Sequence, residues 1–331
     1  MTFEFKNVYL NNTATIVGPY EKKGPLGKFF DKSYTDLYAG EESWEKCEVK
    51  LLKESFKTVL KKEKMVKDKV DLVIAGDLLN QISSSSYAVN DLGVPFIGVY
   101  SACATNVEAL LIGANLIDSG IINNCLCGVS SHNTASEKQF RNPTEYGAPK
   151  PKTATFTATG GASCIISNKK SDIRIESGTL GKIIDYDQND PLNMGAVMSG
   201  AAIDTIKTHL KDLNRDSSYY DLIVTGDLGL YGKEIVKDYM LEVEKIDLEN
   251  NYNDCGIMLY DLERQVEVLA GGSGPVCSAL VTYGYILDQM RKGKLKRVLV
   301  VATGALFCPT FVYQKQNILS IAHAISLEAL W

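Results

Sequence analysis

Short apolar runs rich in β-branched residues alternate along this chain with longer stretches whose apolar positions recur every three or four residues. The first pattern suits buried strands and the second suits helices lying over them. Together they predict an α/β fold with a largely parallel sheet. One run occurs twice: Val70-Asp71-Leu72-Val73-Ile74-Ala75-Gly76-Asp77-Leu78 matches Tyr220-Asp221-Leu222-Ile223-Val224-Thr225-Gly226-Asp227-Leu228. Equivalent positions lie 150 apart, and each run predicts a strand that ends in Gly-Asp.

A second pair follows in the same order. Ser101-Ala102-Cys103-Ala104-Thr105 opens a helical stretch through Asp118, which turns at Gly120 into a strand from Cys125 to Ser130. Pro275-Val276-Cys277-Ser278-Ala279 opens one through Arg291, which turns at Gly293 into a strand from Arg297 to Ala302. Two matching units in one order indicate an internal duplication. We therefore expect two lobes, residues 1–170 and 171–331, meeting at the polar stretch Ser167 to Ser171. Thr153 to Ile166 predicts two short strands around Gly160-Gly161, and Ile173 to Leu180 a strand opening the second lobe. Residues 132–152, with Pro143, Gly147, Pro149 and Pro151, predict a long surface excursion of the kind that shapes binding sites.

Composition narrows the function classes. Of 331 residues 45% are hydrophobic and 23% charged, the balance of a globular protein with a substantial core. The net charge of −5 argues against a general nucleic-acid binder, which needs a basic surface. Lys61, Lys62, Lys64, Lys67 and Lys69 cluster, and read as a solvated helix end. The start, MTFEFKNVYLNN, lacks a secretory pattern, and no stretch reaches the roughly 20 apolar residues that span a bilayer. The eight cysteines then read as reduced cytosolic thiols without a zinc framework. Cys125 and Cys127, alternate residues of one apolar run, read as core.

Cys103 is the main candidate for chemistry. It follows the apolar run Pro95 to Tyr100 and stands among small residues where a helix begins, an environment that stabilises a thiolate and admits a ligand. The same features fit a small residue packed at a strand–helix joint. A nucleophile in acyl transfer also needs a proton acceptor, and none of the three histidines is an obvious one. His132 follows a strand and could border a pocket; His209, in TIKTHLKDL, reads as exposed; His323, in SIAHAISLEAL, reads as core. Asp185-Tyr186-Asp187-Gln188-Asn189 starts like a calcium loop, but Asp190 stands where glycine is required. Gly271-Gly272-Ser273-Gly274-Pro275 reads as a tight turn into a helix whose first amides could hold a carboxylate. Ser83 to Ser86 reads as a loop or helix cap.

The duplicated α/β lobe with Cys103 in SACAT resembles the thiolase superfamily over nearly the whole chain. The resemblance implies two βαβαβαββ lobes in a layered α-β-α-β-α sandwich, Cys103 at the nucleophile position, and a homodimer. It departs in the second half. Where thiolases carry a Gly-His-Pro turn, this chain has Gly272-Ser273-Gly274. Where short-chain condensing synthases end a strand in histidine, it has Gly226-Asp227. Where the second thiolase cysteine falls, it has Ala302-Thr303-Gly304. Such a base contributes about 10²–10⁴ in rate, so its loss argues against condensing chemistry.

SSHNTASEKQFRNPTEYGAPKPKTAT, MGAVMSGAAIDTIKTHLKDLNR, YDLIVTGDL, DCGIMLYD and VLVVATGALFCPT resemble the stage V sporulation protein AD family more closely. That resemblance implies a non-catalytic protein of the SpoVA complex that binds dipicolinic acid (pyridine-2,6-dicarboxylate), with or without calcium, for uptake into the developing spore. It implies integral-membrane partners, no cofactor, and a peripheral place on the spore inner membrane after cytoplasmic synthesis. The expected pocket wall is Cys103, Ser101, Ala104, His132, Ser273 and Gly304, with Arg141 as a candidate for the carboxylates. The alternatives are an active acyltransferase using Cys103 with His132 or Asp227 as an unusual base, and an assembly scaffold with a vestigial pocket.

Overall fold

The repeated Gly-Asp runs become the central parallel strands of two matching half-sheets in the computed structural model, which describes residues 1–140 and 149–331. The first half comprises β1 (Thr2–Glu4), β2 (Tyr9–Val17), α1 (Pro19–Lys23), β3 (Lys32–Ser33), α2 (Trp44–Glu63), β4 (Leu72–Gly76), α3 (Ser83–Asn90) and β5 (Phe96–Gly98). It continues through α4 (Thr105–Asp118), β6 (Asn124–Ser131), α5 (Asn133–Phe140), β7 (Phe156–Thr157) and β8 (Gly160–Ser167). The second half opens with β9 (Ile173–Thr179), α6 (Met194–Asp212), β10 (Leu222–Thr225), α7 (Gly229–Glu242), β11 (Tyr252–Asp254) and α8 (Cys255–Leu259). It closes with β12 (Gly272–Ser273), α9 (Pro275–Leu280), α10 (Leu287–Arg291), β13 (Arg297–Ala305), α11 (Pro309–Tyr313) and β14 (Ser320–Ala329).

Ten strands lie in the order β11-β10-β13-β14-β9-β2-β8-β6-β4-β5. Numbered by chain order within each half, both sets of five take the same spatial order, 3-2-4-5-1. In each, the second strand runs parallel to both neighbours and the fifth returns antiparallel. The halves join where Tyr9 and Leu10 pair with Arg174 and Ile173. The paired helices also end alike: Gly120 and Gly293 turn the chain at φ 75° and 72°, a region that favours glycine.

Layering follows from which faces are apolar. α4 buries Val107, Leu110, Leu111 and Ala114 and packs both on β6 and β8 and on β13 and β14, so it lies between the half-sheets. Each leucine so buried contributes on the order of 2 kcal/mol relative to exposure. α9 lies beside α4 against β6 and β8. α2 covers β2 and β8 from outside; its buried stripe of Leu51, Leu52, Ser55, Phe56 and Val59 has helical spacing, and the Ser43 side chain caps its first turn by accepting from the Lys46 amide. α6 covers β13 and β14. The result is the thiolase-like α-β-α-β-α sandwich.

Several expectations change. His209 is buried, not exposed: Nδ1 pairs with the Thr179 hydroxyl at 2.8 Å and Nε2 with the Tyr220 hydroxyl at 2.6 Å. Its lysine-rich surroundings hid an inward-facing position one helical turn from Thr205 and Ile206, which are also buried. Residues 133–140, expected within a surface excursion, form α5, held by Gln139 to the Leu78 carbonyl and by Lys138 to Glu45. Ser83 to Ser86 lie inside α3, and Gly160-Gly161 open β8. Arg141 lies outside the described residues. Cys125 and Cys127 are core, as expected, with their sulfurs 3.8 Å apart. Among the described residues, no helix is long and apolar enough to cross a membrane.

Candidate functional site

The site is built on the turn between β5 and α4. The Thr105 hydroxyl, at the helix start, accepts the Ser101 amide at 3.0 Å and donates to the Ala102 carbonyl at 2.6 Å, closing the turn. Ala102 is held at φ 48°, a sparsely populated conformation for a side-chain-bearing residue. This turn leaves Cys103 half-buried, while the other residues around it are buried. From the second half, Gly304 approaches so closely that a Cβ there would lie 2.2 Å from the Ser101 carbonyl oxygen. Only glycine allows that contact.

Asp227, one residue past Gly226 at the end of β10, faces Cys103. Its carboxylate accepts the Thr303 hydroxyl at 2.6 Å and the Gly274 amide at 3.2 Å, and the Cys103 thiol donates to it as well. Gly274, at φ 95°, is the turn that delivers this amide. Burial pushes the Asp227 carboxyl up to about 7, against the hydrogen bonds from Cys103 and Thr303 that pull it down. Neighbouring Asp254 is tied to backbone: it accepts the Leu228, Gly229 and Gly256 amides at 2.9, 3.0 and 3.0 Å.

Cys103 and Asp227 open on a cleft whose space between atoms is about 560 Å³, part of it open to solvent. Tyr100, Phe140 and Phe307 supply aromatic surface, Met194 and Met198 aliphatic surface, and Ser136, Glu137, Thr155, Thr157 and Ser273 polar groups. Parallel pairing of β12 with β7 sets Ser273 opposite Thr157. Two of these hydroxyls, Ser136 Oγ and Thr155 Oγ1, are buried without a hydrogen-bond partner. Buried polar groups are rarely left so. Glu137 pairs with Lys150 at 2.8 Å, and no basic side chain stands among the described lining residues.

Of the six residues expected at the wall, Cys103 and Ser273 line the cleft. Ser101, Ala104 and Gly304 form the scaffold behind Cys103 instead. His132 is not brought in: its Nε2 faces the Leu37 carbonyl at 2.8 Å, its Nδ1 accepts the Ala135 amide at 3.4 Å, and burial holds its pKa below the ordinary value. Its contribution is to anchor α5, whose Ser136 and Glu137 reach the cleft. His323 is core, accepting the Gly181 amide at 3.2 Å. The sequence offers no histidine at the expected proton-acceptor positions and Asp227 only as an unusual base; the structure brings the Asp227 carboxylate, and not His132, to Cys103. Sequence reasoning also missed Ser136, Thr155 and Thr157; the alternation in Thr155-Phe156-Thr157 was the available signal, since alternate residues of a strand share a face.

The family model for stage V sporulation protein AD matches residues 1–328 of the chain. Stage V sporulation protein AD of Bacillus subtilis is 46% identical over 321 residues, covering 97% of this chain and 94% of that one. Among solved structures, a variant of Xanthomonas campestris OleA superposes with a TM-score of 0.63 at 14% identity, covering 98% of this chain and 99% of that one. The 3-oxoacyl-[acyl-carrier-protein] synthase III of Aquifex aeolicus superposes with a TM-score of 0.58 at 12% identity, covering 97% and 99%.

Proposed function

The chain belongs to the stage V sporulation protein AD family, a sporulation family on a thiolase-like fold, and on that premise we propose that it binds dipicolinic acid in the Cys103 cleft without performing chemistry on it. The observation that carries this reading is the pair of buried, unpartnered hydroxyls of Ser136 and Thr155 at a cleft with aromatic walls. A flat aromatic ring suits Tyr100, Phe140 and Phe307. Its carboxylate oxygens supply the acceptors those hydroxyls lack. Among the described residues the lining is acidic where it is charged, which favours the ligand as its calcium complex over the free dianion.

In this reading the protein serves dipicolinate uptake into the developing spore, attached peripherally at the inner membrane through integral-membrane partners of the SpoVA complex. A homodimer fits the bare sheet edge at β5, where Ile97, Gly98 and Tyr100 are exposed, in contrast to β11, whose Tyr252 and Asp254 are buried. Light scattering that finds only the 36.3 kDa species rejects the dimer.

The hydrogen bond between Cys103 and Asp227 favours a second reading, acyl transfer to Cys103 with Asp227 taking the thiol proton. Calorimetric titration with dipicolinic acid, with and without calcium, run beside an acyl-CoA thiol-release assay, separates the two. Saturable binding without thiol release is expected. Thiol release without dipicolinate binding overturns the proposal and leaves the acyltransferase.

A further inference from the structure

Among the described residues, Asp227 is the one acid lining the cleft with no cationic partner, whereas Glu137 is offset by Lys150. The titratable groups around Asp227 are thiols, acids and a phenol. Among the described residues they are Cys103 before α4, Asp254 on β11, Cys255 on α8, Cys277 on α9, and Tyr100 and Glu137 in the cleft lining. Thr303 from β13 and the Gly274 amide add neutral donors. None of these can neutralise a second negative charge entering the same buried space. A carboxylate ligand beside an ionised Asp227 repeats the situation of two carboxylates sharing one site, in which one of the two takes up a proton.

Resting on the reading that the ligand is a carboxylate held in this cleft, we propose that Asp227 makes binding proton-linked. A free dicarboxylate enters with uptake of one proton from solvent onto Asp227, whereas a dicarboxylate already carrying a divalent cation enters without it. Proton and cation are then alternative ways of cancelling the same charge, and Asp227 is the residue that tells a charged ligand from a neutralised one. Burial, which already holds the Asp227 carboxyl at about 7, supports this, because the proton is available at neutral pH.

The experiment is calorimetric titration of the full chain with sodium dipicolinate from pH 6 to pH 9, in buffers of different ionisation enthalpy, with and without calcium. Without calcium, affinity is expected to be level below about pH 7 and to fall about tenfold per pH unit above it, with proton uptake approaching about one. With calcium, affinity is expected to stay level and uptake to vanish. Asp227→Asn is expected to bind free dipicolinate with no pH slope, at the affinity the parent protein shows at pH 6. Proton counting on the parent protein decides the matter even if the variant does not fold. Binding with neither slope nor proton uptake overturns this inference alone, as does a slope that survives Asp227→Asn. No binding at any pH, with or without calcium, overturns the proposed function along with it.

Discussion

The two halves carry an aspartate at the same point of the same strand, 150 positions apart, and use it differently. Asp77 accepts the Leu79 amide at 2.9 Å and the Ser85 amide at 2.7 Å, and so holds the tight turn into α3, where Gln81 and Ile82 both adopt positive φ. In the second half that task falls to Asp254, which takes the amides of Leu228 and Gly229. Asp227 is thereby free to face Cys103. The cysteines diverge in the same way. Cys103 borders the cleft, whereas Cys277, in the matching helix start, is sealed in the core, where burial pushes its thiol well above the usual range. A duplicated scaffold supplies two equivalent positions, and the elements packed against each decide which becomes a site.

The largest effect on this asymmetry should come from Gly304→Ala. The added Cβ must displace the Ser101 carbonyl, and with it the turn that presents Cys103. A loss of about 3 kcal/mol is expected in urea unfolding, together with loss of dipicolinate binding. An unaltered midpoint would mean that the turn gives way cheaply.

Next in size is the contrast between the two aspartates. Asp77→Asn should cost about 2 kcal/mol, since the amide side chain can accept only one of the two backbone N–H groups and sets its own NH₂ against the other. Asp227→Asn should act with the opposite sign. A carboxyl whose folded pKa is raised to about 7 gives stability that is present below its unfolded value near 4 and lost as pH rises through 7. The variant should therefore gain on the parent protein by about 3 kcal/mol between pH 4 and pH 7. Equal pH dependence in the two proteins would show that Asp227 stays ionised in the fold.

The smallest effect concerns acid. Two of the three histidines, His209 and His323, lie in the second half, each held down to about 4 by burial. Neutral in the fold, they contribute stability that is lost as pH falls from their unfolded value near 6.5 toward 4. Each should cost about 1 kcal/mol between pH 6 and pH 5. Hydrogen exchange at pH 5 should accordingly loosen α6 and β14 before β4 and β6. Uniform loosening would place the acid-sensitive groups elsewhere.

Much of this was legible before the structure. The duplicated Gly-Asp runs, the glycine turns at 120 and 293, the half-sheet strands and the place of Cys103 at a helix start all follow from local pattern. Such features depend on residues within a few positions of one another. The errors were of one kind. Sequence neighbours misplace His132 and His209, and leave Asp227 only an unusual base in an alternative reading, because the expected residue type is absent there.

The amino-acid sequence by itself determined the repeated architecture, because apolar periodicity and glycine turns are local instructions that each half obeys alone. Only the tertiary structure decided the cleft. The approach of Gly304 to Ser101, the meeting of Cys103 with Asp227 and the stranded hydroxyls of Ser136 and Thr155 depend on residues far apart in the chain, Gly304 and Ser101 by 203 positions. No local period records which half-sheet face will lie against which helix start, and burial, which sets the charge of Asp227, exists only once both halves have closed around it.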